Sequence, residues 1–247
     1  MSYPYLFIDP DQAVDNIIRI TDRDDLKHLF GPLRGKPGDT VYFSDDESRK
    51  YRTAVKEISK KEAVFEIKEK SSIKKSMPRI TLFQCILKKN AMELVIQKTT
   101  EIGISCIVPV ISERTVSDII GNSSKLERWQ KISDEASKQC KRDFKCIINA
   151  PVKIDSISTD HYDHFFFLHE EASGSGRANM ESIFRTMYGA KNIAYLIGPE
   201  GGLTANEAMI LKNKKAAAAN LGKNILRAET AAIYFLSVMD FYIKSNR

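Results

Sequence analysis

Cysteine is scarce in this chain and never spaced as metal-thiolate or redox centres require. Cys85, Cys106, Cys140 and Cys146 are the only four in 247 residues, and none forms a Cys-x-x-Cys pair. A disulfide framework and a thiolate zinc site are thereby excluded as organising devices, and reduced thiols in a cytoplasmic protein are expected. Histidine is equally rare. His161, His164 and His169 cluster, but the last two flank an apolar run without cysteine partners, so surface positions and no metal are expected. No apolar stretch reaches the roughly twenty residues that cross a membrane. Asp9 and Asp11 stand where a basic-then-apolar leader would be, so secretion is not indicated. The phosphate loop pattern is missing, and Gly174-Ser-Gly176 meets Asn179 where a dinucleotide fingerprint wants glycine or alanine. ATP and nicotinamide chemistry are set aside on that ground.

What the chain does carry is positive charge, with a formal net value of +6. Between Lys50 and Lys75 nine Lys and Arg face four Glu, and between Lys125 and Lys145 seven face four acids. Solvated charged faces would account for either cluster alone. A basic segment in a small domain beside a basic helix also resembles an RNA footprint, with affinity that falls steeply in salt.

The chain divides by pattern. Asn16 to Ile20, Thr40 to Phe43, Tyr51 to Ile58 and Ala63 to Ile67 read as short strands separated by turns, which predicts a small β-barrel. Around Ser71–Pro78 the composition turns polar and basic, and a linker is placed there. Beyond it, Ile80 to Leu87, Ile104 to Ile111, His164 to Leu168, Ile193 to Ile197 and Ala216 to Leu221 read as apolar strands. Helices fill the intervals: Met92, Val95, Ile96 and Thr99 recur at helical spacing, as do Leu126, Trp129, Ile132, Ala136 and Cys140. Buried strands alternating with helices predict an α/β fold with a parallel sheet covered on both faces. The last helix, Ala231 to Ile243, is apolar nearly all round and must be buried on more than one side, in a core or at a subunit interface.

Two segments near the C-terminus look built to hold a small ligand: Leu196-Ile-Gly-Pro-Glu-Gly-Gly-Leu-Thr-Ala-Asn-Glu207 and Leu221-Gly-Lys-Asn-Ile-Leu-Arg-Ala-Glu-Thr-Ala231. Each follows a predicted buried strand and leads into a helix, the position where open α/β sheets bind ligands. Gly198, Gly201 and Gly202 let main-chain amides approach a ligand, and Pro199 stiffens the turn. Thr204 and Glu207 form a capping box that starts a helix at about Ala205. Gly222 ends the second strand, Arg227 brings a permanent cation, and Glu229 and Thr230 enter the first turn of the last helix. On the helix after Leu126, Glu135, Gln139 and Arg142 fall at i, i+4 and i+7 and should share one face. That face is either a surface polar ladder or a grip on a base edge and a phosphate.

Together these residues resemble the SPOUT methyltransferases, and within them the small-subunit ribosomal RNA uridine-N3 methyltransferases (RsmE). The resemblance rests on Gly198–Gly202 and on Leu221, Gly222, Ile225 to Arg227 and Glu229 to Ala231, and upstream on Lys88, Lys89, Glu93, Ile96 to Lys98, Thr100, Glu101 and Gly103. It continues through Ser112–Thr115, Arg128 and Trp129, then Glu135, Ala136, Gln139, Cys140 and Arg142; His28, Leu29, Leu33, Arg34, Gly38 and Asp39 also fit. The chain departs just after Arg142, where the family usually has a proline within a few residues and this sequence reads Asp-Phe-Lys-Cys-Ile-Ile.

The resemblance implies a SPOUT-type parallel sheet with a C-terminal trefoil knot over residues 77–247, preceded by a PUA-like β-barrel RNA-binding domain over 1–72. It implies a homodimer packed through the last helix, S-adenosyl-L-methionine (AdoMet) as methyl donor without a metal, and 16S rRNA or the small ribosomal subunit as partner. AdoMet would meet Leu168, Leu196, Gly198, Gly201, Leu221, Gly222, Leu226 and Thr230, largely through main chain. RNA would meet Arg34, Lys88, Lys89, Arg114, Gln139 and Arg142. The implied reaction is methylation of uridine N3, whose proton is about as acidic as a phenol's, near pKa 10. Arg142 or Arg227 would stabilise the imide anion, and Glu135 or Glu200 would take the proton. Glu200 is equally open to a structural role within its loop. Action on another RNA such as tRNA, or RNA binding without catalysis, are the alternatives.

Overall fold

The computed structural model describes residues 3–30, 36–73, 78–88, 90–115, 123–169 and 180–245, and it divides into two compact units. The first comprises Met1–Ser76 and Ser137–Lys145. It contains β1 (Tyr5–Phe7), β2 (Ala13–Val14), β3 (Ile17–Ile20), α1 (Arg23–Phe30), β4 (Thr40–Ser44), β5 (Arg49–Ile58) and β6 (Ala63–Ser72). These strands form one sheet in the order β1-β4-β5-β6-β3-β2, with β1 and β4 parallel and the other pairs antiparallel. Its core is Leu6, Ile18, Ile20, Val41, Phe43, Tyr51 and Phe65. Along β4, buried Val41 and Phe43 alternate with half-buried Thr40 and Tyr42, the two-residue period of a strand with one face inward. Register shifts at Arg52/Thr53 and Val55/Glu57 mark irregularities where the long β5–β6 ribbon bends.

All four strands expected in this region are present, and β6 runs on to Ser72, into the polar stretch assigned to a linker. Residues 74–77 of that stretch lie outside the described residues. The elements β1, β2 and α1 lie outside the expected strands. β1 is three apolar residues without alternation, and α1 is capped by Asp22, whose carboxylate accepts the N–H groups of Asp24 and Asp25.

The second unit comprises Met77–Ala136 and Cys146–Arg247. In chain order it holds β7 (Arg79–Cys85), α2 (Asn90–Ile102), β8 (Cys106–Ile111), most of α3 (Ser123–Gln139), β9 (Ile147–Ile148), β10 (Val152–Lys153) and β11 (His164–Leu168). α4 (Met180–Thr186), β12 (Asn192–Ile197), α5 (Ala205–Asn213), β13 (Ala217–Ala219) and α6 (Ala228–Ser245) follow. The strands make a seven-stranded sheet in the order β10-β8-β7-β12-β11-β13, with β9 beside β8, and every pair is parallel. This is the expected α/β class. One face buries Leu82, Phe166 and Tyr195 with Phe235, Leu236 and Met239 of α6; the other buries Phe83, Phe167 and Leu196 with Leu203 and Leu211. Both faces are therefore covered, which explains strands that read as continuous apolar runs.

α6 starts at Ala228, three residues before the predicted boundary, and α2 packs along it. Its buried side is Ala231, Ala232, Phe235, Leu236 and Met239, while Tyr234 and Phe241 remain 43% and 71% exposed. No helix among the described residues is long and apolar enough to cross a membrane.

Candidate functional site

Because all strands of the second unit are parallel, the turns that follow them gather along one edge of the sheet. Strand order and register fix their neighbours. Leu196 of β12 pairs with Phe167 of β11 and Phe83 of β7, and Leu168 of β11 pairs with Ala219 of β13. The turns after β12 and β13 thus flank the end of β11, with the turn after β7 on the other side of β12.

The turn after β12 is the more constrained. Gly198 is tightly packed: a Cβ would lie 3.2 Å from both Cγ and the main-chain N of Leu203. Gly202 has φ +71° and donates its N–H to the Pro199 carbonyl at 2.9 Å, closing the loop on itself. The predicted capping box is formed, with the N–H of Glu207 donated to Thr204 Oγ1 at 3.2 Å and the N–H of Thr204 to Glu207 Oε2 at 2.8 Å.

Three polar contacts tie this loop to its neighbours. Glu200 Oε1 accepts the main-chain N–H of Lys88, after β7, at 2.9 Å. Glu207, 3% exposed, uses its other oxygen to accept the N–H of Glu113, after β8, at 2.8 Å. Arg114 donates through Nη1 to the Gly201 carbonyl. Sequence reasoning had the Thr204–Glu207 cap but not the second partner of Glu207, which is 94 positions away. The Glu200 bond reaches a neighbouring loop, not amides of its own loop as the structural opening had it. Arg114, expected to meet RNA, has a partner within the same network. Below the loop, burial pushes the Cys85 thiol far up from its usual value, and the nearby Glu207 charge adds to the shift.

The turn after β13 begins earlier than predicted. β13 ends at Ala219 because the side chain of Asn220 accepts the N–H of Gly222 at 2.8 Å and turns the chain, with Gly222 at φ +125°. Leu168, Leu221 and Leu226 are half-buried against the cluster that includes Ala228 and Ala231. Leu196 is fully buried on the opposite face. Arg227 is exposed and its carbonyl accepts the Ala231 N–H at 2.8 Å, and Thr230 is exposed one residue before it.

Glu135 is exposed on α3. Gln139 and Arg142 belong to the first unit, and the expected i, i+4, i+7 face stops short of Arg142. The helix ends at Gln139 in a Schellman turn: Lys141 has φ +57°, its N–H goes to Lys138 O at 3.2 Å, and the Arg142 N–H goes to Ser137 O at 3.0 Å. No glycine or asparagine announces the reversal, so helical periodicity carried the sequence reading one turn too far. Arg34 and Lys89, and the decoy stretch from Gly174 to Asn179, lie outside the described residues.

The basic clusters are partly neutralised at home. Lys50 pairs with Asp143, Arg52 with Glu69, Lys68 with Glu66, Arg128 with Glu93 and Lys138 with Asp25.

A parallel α/β sheet with tethered glycine loops at its C-terminal edge has the arrangement in which open α/β domains bind ligands. The family model of the RNA methyltransferase domain matches residues 74–240, and the chain belongs to that family. It is similar to a ribosomal RNA small subunit methyltransferase E of Aquifex aeolicus, 29% identical over 199 residues, covering 78% of this chain and 82% of that one. A protein of the same name from Bacillus subtilis is 25% identical over 229 residues, 88% of each chain. Among solved structures, the ribosomal RNA small subunit methyltransferase E of Neisseria gonorrhoeae bound to S-adenosyl methionine superposes with a TM-score of 0.82 at 24% identity, over 97% of this chain and 98% of that one. The Legionella pneumophila putative methyltransferase with bound SAM gives 0.84 at 24%, over 98% of each chain. These superpositions establish the fold.

Proposed function

We propose that this protein transfers the methyl group of AdoMet to N3 of a specific uridine in 16S rRNA of the small ribosomal subunit. The observation that carries the reading is the Gly198–Gly202 loop, bonded to the turns after β7 and β8 at the sheet edge of an RNA methyltransferase domain. AdoMet brings a methyl group on a sulfonium, which is already a good leaving group. Gly198, packed against Leu203, and Gly222, at φ +125°, keep both loops free of a Cβ where main-chain groups would approach such a ligand. Main-chain groups of Leu196, Gly198, Gly201, Leu221 and Gly222, with Leu168, Leu226 and Thr230, would hold it.

The chain's own contribution is to bind the RNA and to manage the N3 proton. Arg142 or Arg227 stabilises the imide anion through a permanent charge. Glu135, exposed on α3, or Glu200, one of whose oxygens accepts the Lys88 N–H, takes the proton. Arg34, Lys88, Lys89, Arg114 and Gln139 contribute to RNA binding, for which the basic composition is the support. We further propose that residues 1–72 act as a PUA-like RNA-binding barrel, that residues 77–247 form the SPOUT domain with its knot, and that the protein is a cytoplasmic homodimer. The strand order, with β12 inserted between β7 and β11, supports the SPOUT reading, and exposed Tyr234 and Phe241 on α6 support the dimer.

The deciding experiment is transfer of labelled methyl from AdoMet by the purified protein to small subunits lacking uridine-N3 methylation, followed by nucleoside analysis. 3-Methyluridine in the rRNA is the expected product. AdoMet binding without incorporation would redirect the search to another RNA or nucleotide; absence of both would leave an RNA-binding protein.

A further inference from the structure

Between α3 and β9 the chain leaves the second unit, joins the first over Ser137–Lys145, and returns. Side chains at both ends hold that segment to the first unit. Lys138 Nζ lies 2.5 Å from Asp25 Oδ1, in a pair whose side chains are 14% and 13% exposed. Asp143 Oδ1 accepts two hydrogen bonds, from the Tyr5 hydroxyl at 3.0 Å and from Lys50 Nζ at 2.8 Å. The Lys50 ammonium also sits 5.2 Å from the centre of the Tyr5 ring, and that of Lys145 sits 5.6 Å from the Phe7 ring. Arg142 stands between the Schellman turn at Lys141 and the anchored carboxylate of Asp143.

An isolated surface ion pair would contribute little. Here one carboxylate is shared by two donors, one of them the hydroxyl of a buried tyrosine. Burial holds the Tyr5 phenol well above its usual range, with the Asp143 charge adding to the effect, so the hydroxyl stays a donor into alkaline solution. The sequence after Arg142 lacks the proline that would stiffen this turn by itself, and the shared carboxylate supplies a constraint in its place.

We propose that Asp143 is a positioning residue for Arg142: by bonding Tyr5 and Lys50 it fixes the Arg142 turn on the first unit, so that this unit presents the arginine to the RNA. The inference rests on the role given to Arg142 above. Asp143 itself touches no reacting atom in this account.

The test uses the full chain in two arms. In the first, amide hydrogen exchange compares wild type with Asp143→Ala in the absence of RNA and AdoMet; residues 138–145 should exchange about tenfold faster or more while β4 and β5 are unchanged. Unchanged exchange across 138–145 would overturn the anchoring. In the second, methyl transfer to unmodified small subunits is followed. Asp143→Ala should lower kcat by roughly tenfold to a hundredfold with AdoMet affinity intact, and it should cost nothing further in an Arg142→Ala background. Losses that multiply in the double variant, or a fully active Arg142→Ala, would overturn the positioning role. If wild type transfers no methyl at all, the reaction reading fails, while the exchange arm still decides whether Asp143 anchors the turn. Should Asp143→Ala not fold, Tyr5→Phe and Lys50→Met each remove one of the two donors and should each loosen the same residues to a smaller degree.

Discussion

Glu200 lies in the glycine loop after β12, yet its carboxylate is bonded to the main-chain N–H of Lys88, 2.9 Å away and 112 positions earlier in the chain. A glutamate held in this way serves to tie two loops together, and its charge is not required for the tie. Glu200→Gln keeps an acceptor oxygen and should retain kcat within about threefold, whereas Glu200→Ala frees the loop and should weaken AdoMet binding by roughly tenfold. Isothermal titration with AdoMet and single-turnover methyl transfer separate the two effects. A dead Glu200→Gln enzyme with normal AdoMet affinity would return Glu200 to the role of proton acceptor.

Gly198 and Gly222 are sensitive for different reasons. An added methyl at Gly198 meets the backbone nitrogen and the side chain of Leu203 at 3.2 Å, so Leu203 must shift by a few tenths of an ångström to admit it. At Gly222 there is space, but φ +125° strains any residue with a Cβ. Gly198→Ala and Gly222→Ala should each abolish detectable AdoMet binding by calorimetry while the melting temperature falls by only a few degrees, as expected for about 1–2 kcal/mol of local strain. Tight AdoMet binding by Gly198→Ala would show that the loop closes without that contact.

Much of this arrangement was legible because it is local. The capping box at Thr204 and Glu207, the span of β11 from His164 to Leu168, and the alternation that gives a parallel sheet all follow from short-range pattern. The errors arise where a non-local or unannounced feature decides. β13 stops at Ala219 because the Asn220 side chain captures the Gly222 N–H, although the apolar run continues to Leu221. α3 stops before Arg142 because Lys141 takes the left-handed conformation that lysine seldom adopts. The partners of Glu200, Glu207 and Arg114 depend on which strand ends become neighbours, and sheet order is not written in any one segment.

Glu207 follows from that neighbourhood. Its two oxygens satisfy the N–H groups of Thr204 and Glu113 from a buried position, so removing the side chain leaves both donors to find water or go unpaired. Glu207→Ala should cost about 2 kcal/mol in urea unfolding and also weaken AdoMet binding, since the turn after β8 is then held to the Gly198–Leu203 loop by Arg114 alone among the bonds described. Glu207→Gln keeps one acceptor but points an amide at the other N–H, and should recover less than half of the loss. Full stability of Glu207→Ala would mean that solvent replaces the carboxylate without penalty.

In the first unit, Asp45 sets the response to acid. Burial works against its charge, but bonds from the Arg49 main chain and guanidinium and from the Tyr51 hydroxyl outweigh it, so its carboxyl is held below the ordinary value of 3.8. Tyr51 is correspondingly pushed up to about 12, by burial and by its bond to Asp45. A carboxyl lowered by folding contributes stability that is fully present above the ordinary aspartate value and is lost as pH falls from there through the lowered one. Asp45→Asn should therefore destabilise the unit at pH 7 by about 2 kcal/mol, and its stability should fall less than that of wild type between pH 4 and the acid limit. Urea unfolding followed by circular dichroism, with hydrogen exchange of β4 and β5 to isolate the unit, measures both quantities. Parallel pH curves for the two proteins would show that the Asp45 cluster is not a source of the acid sensitivity.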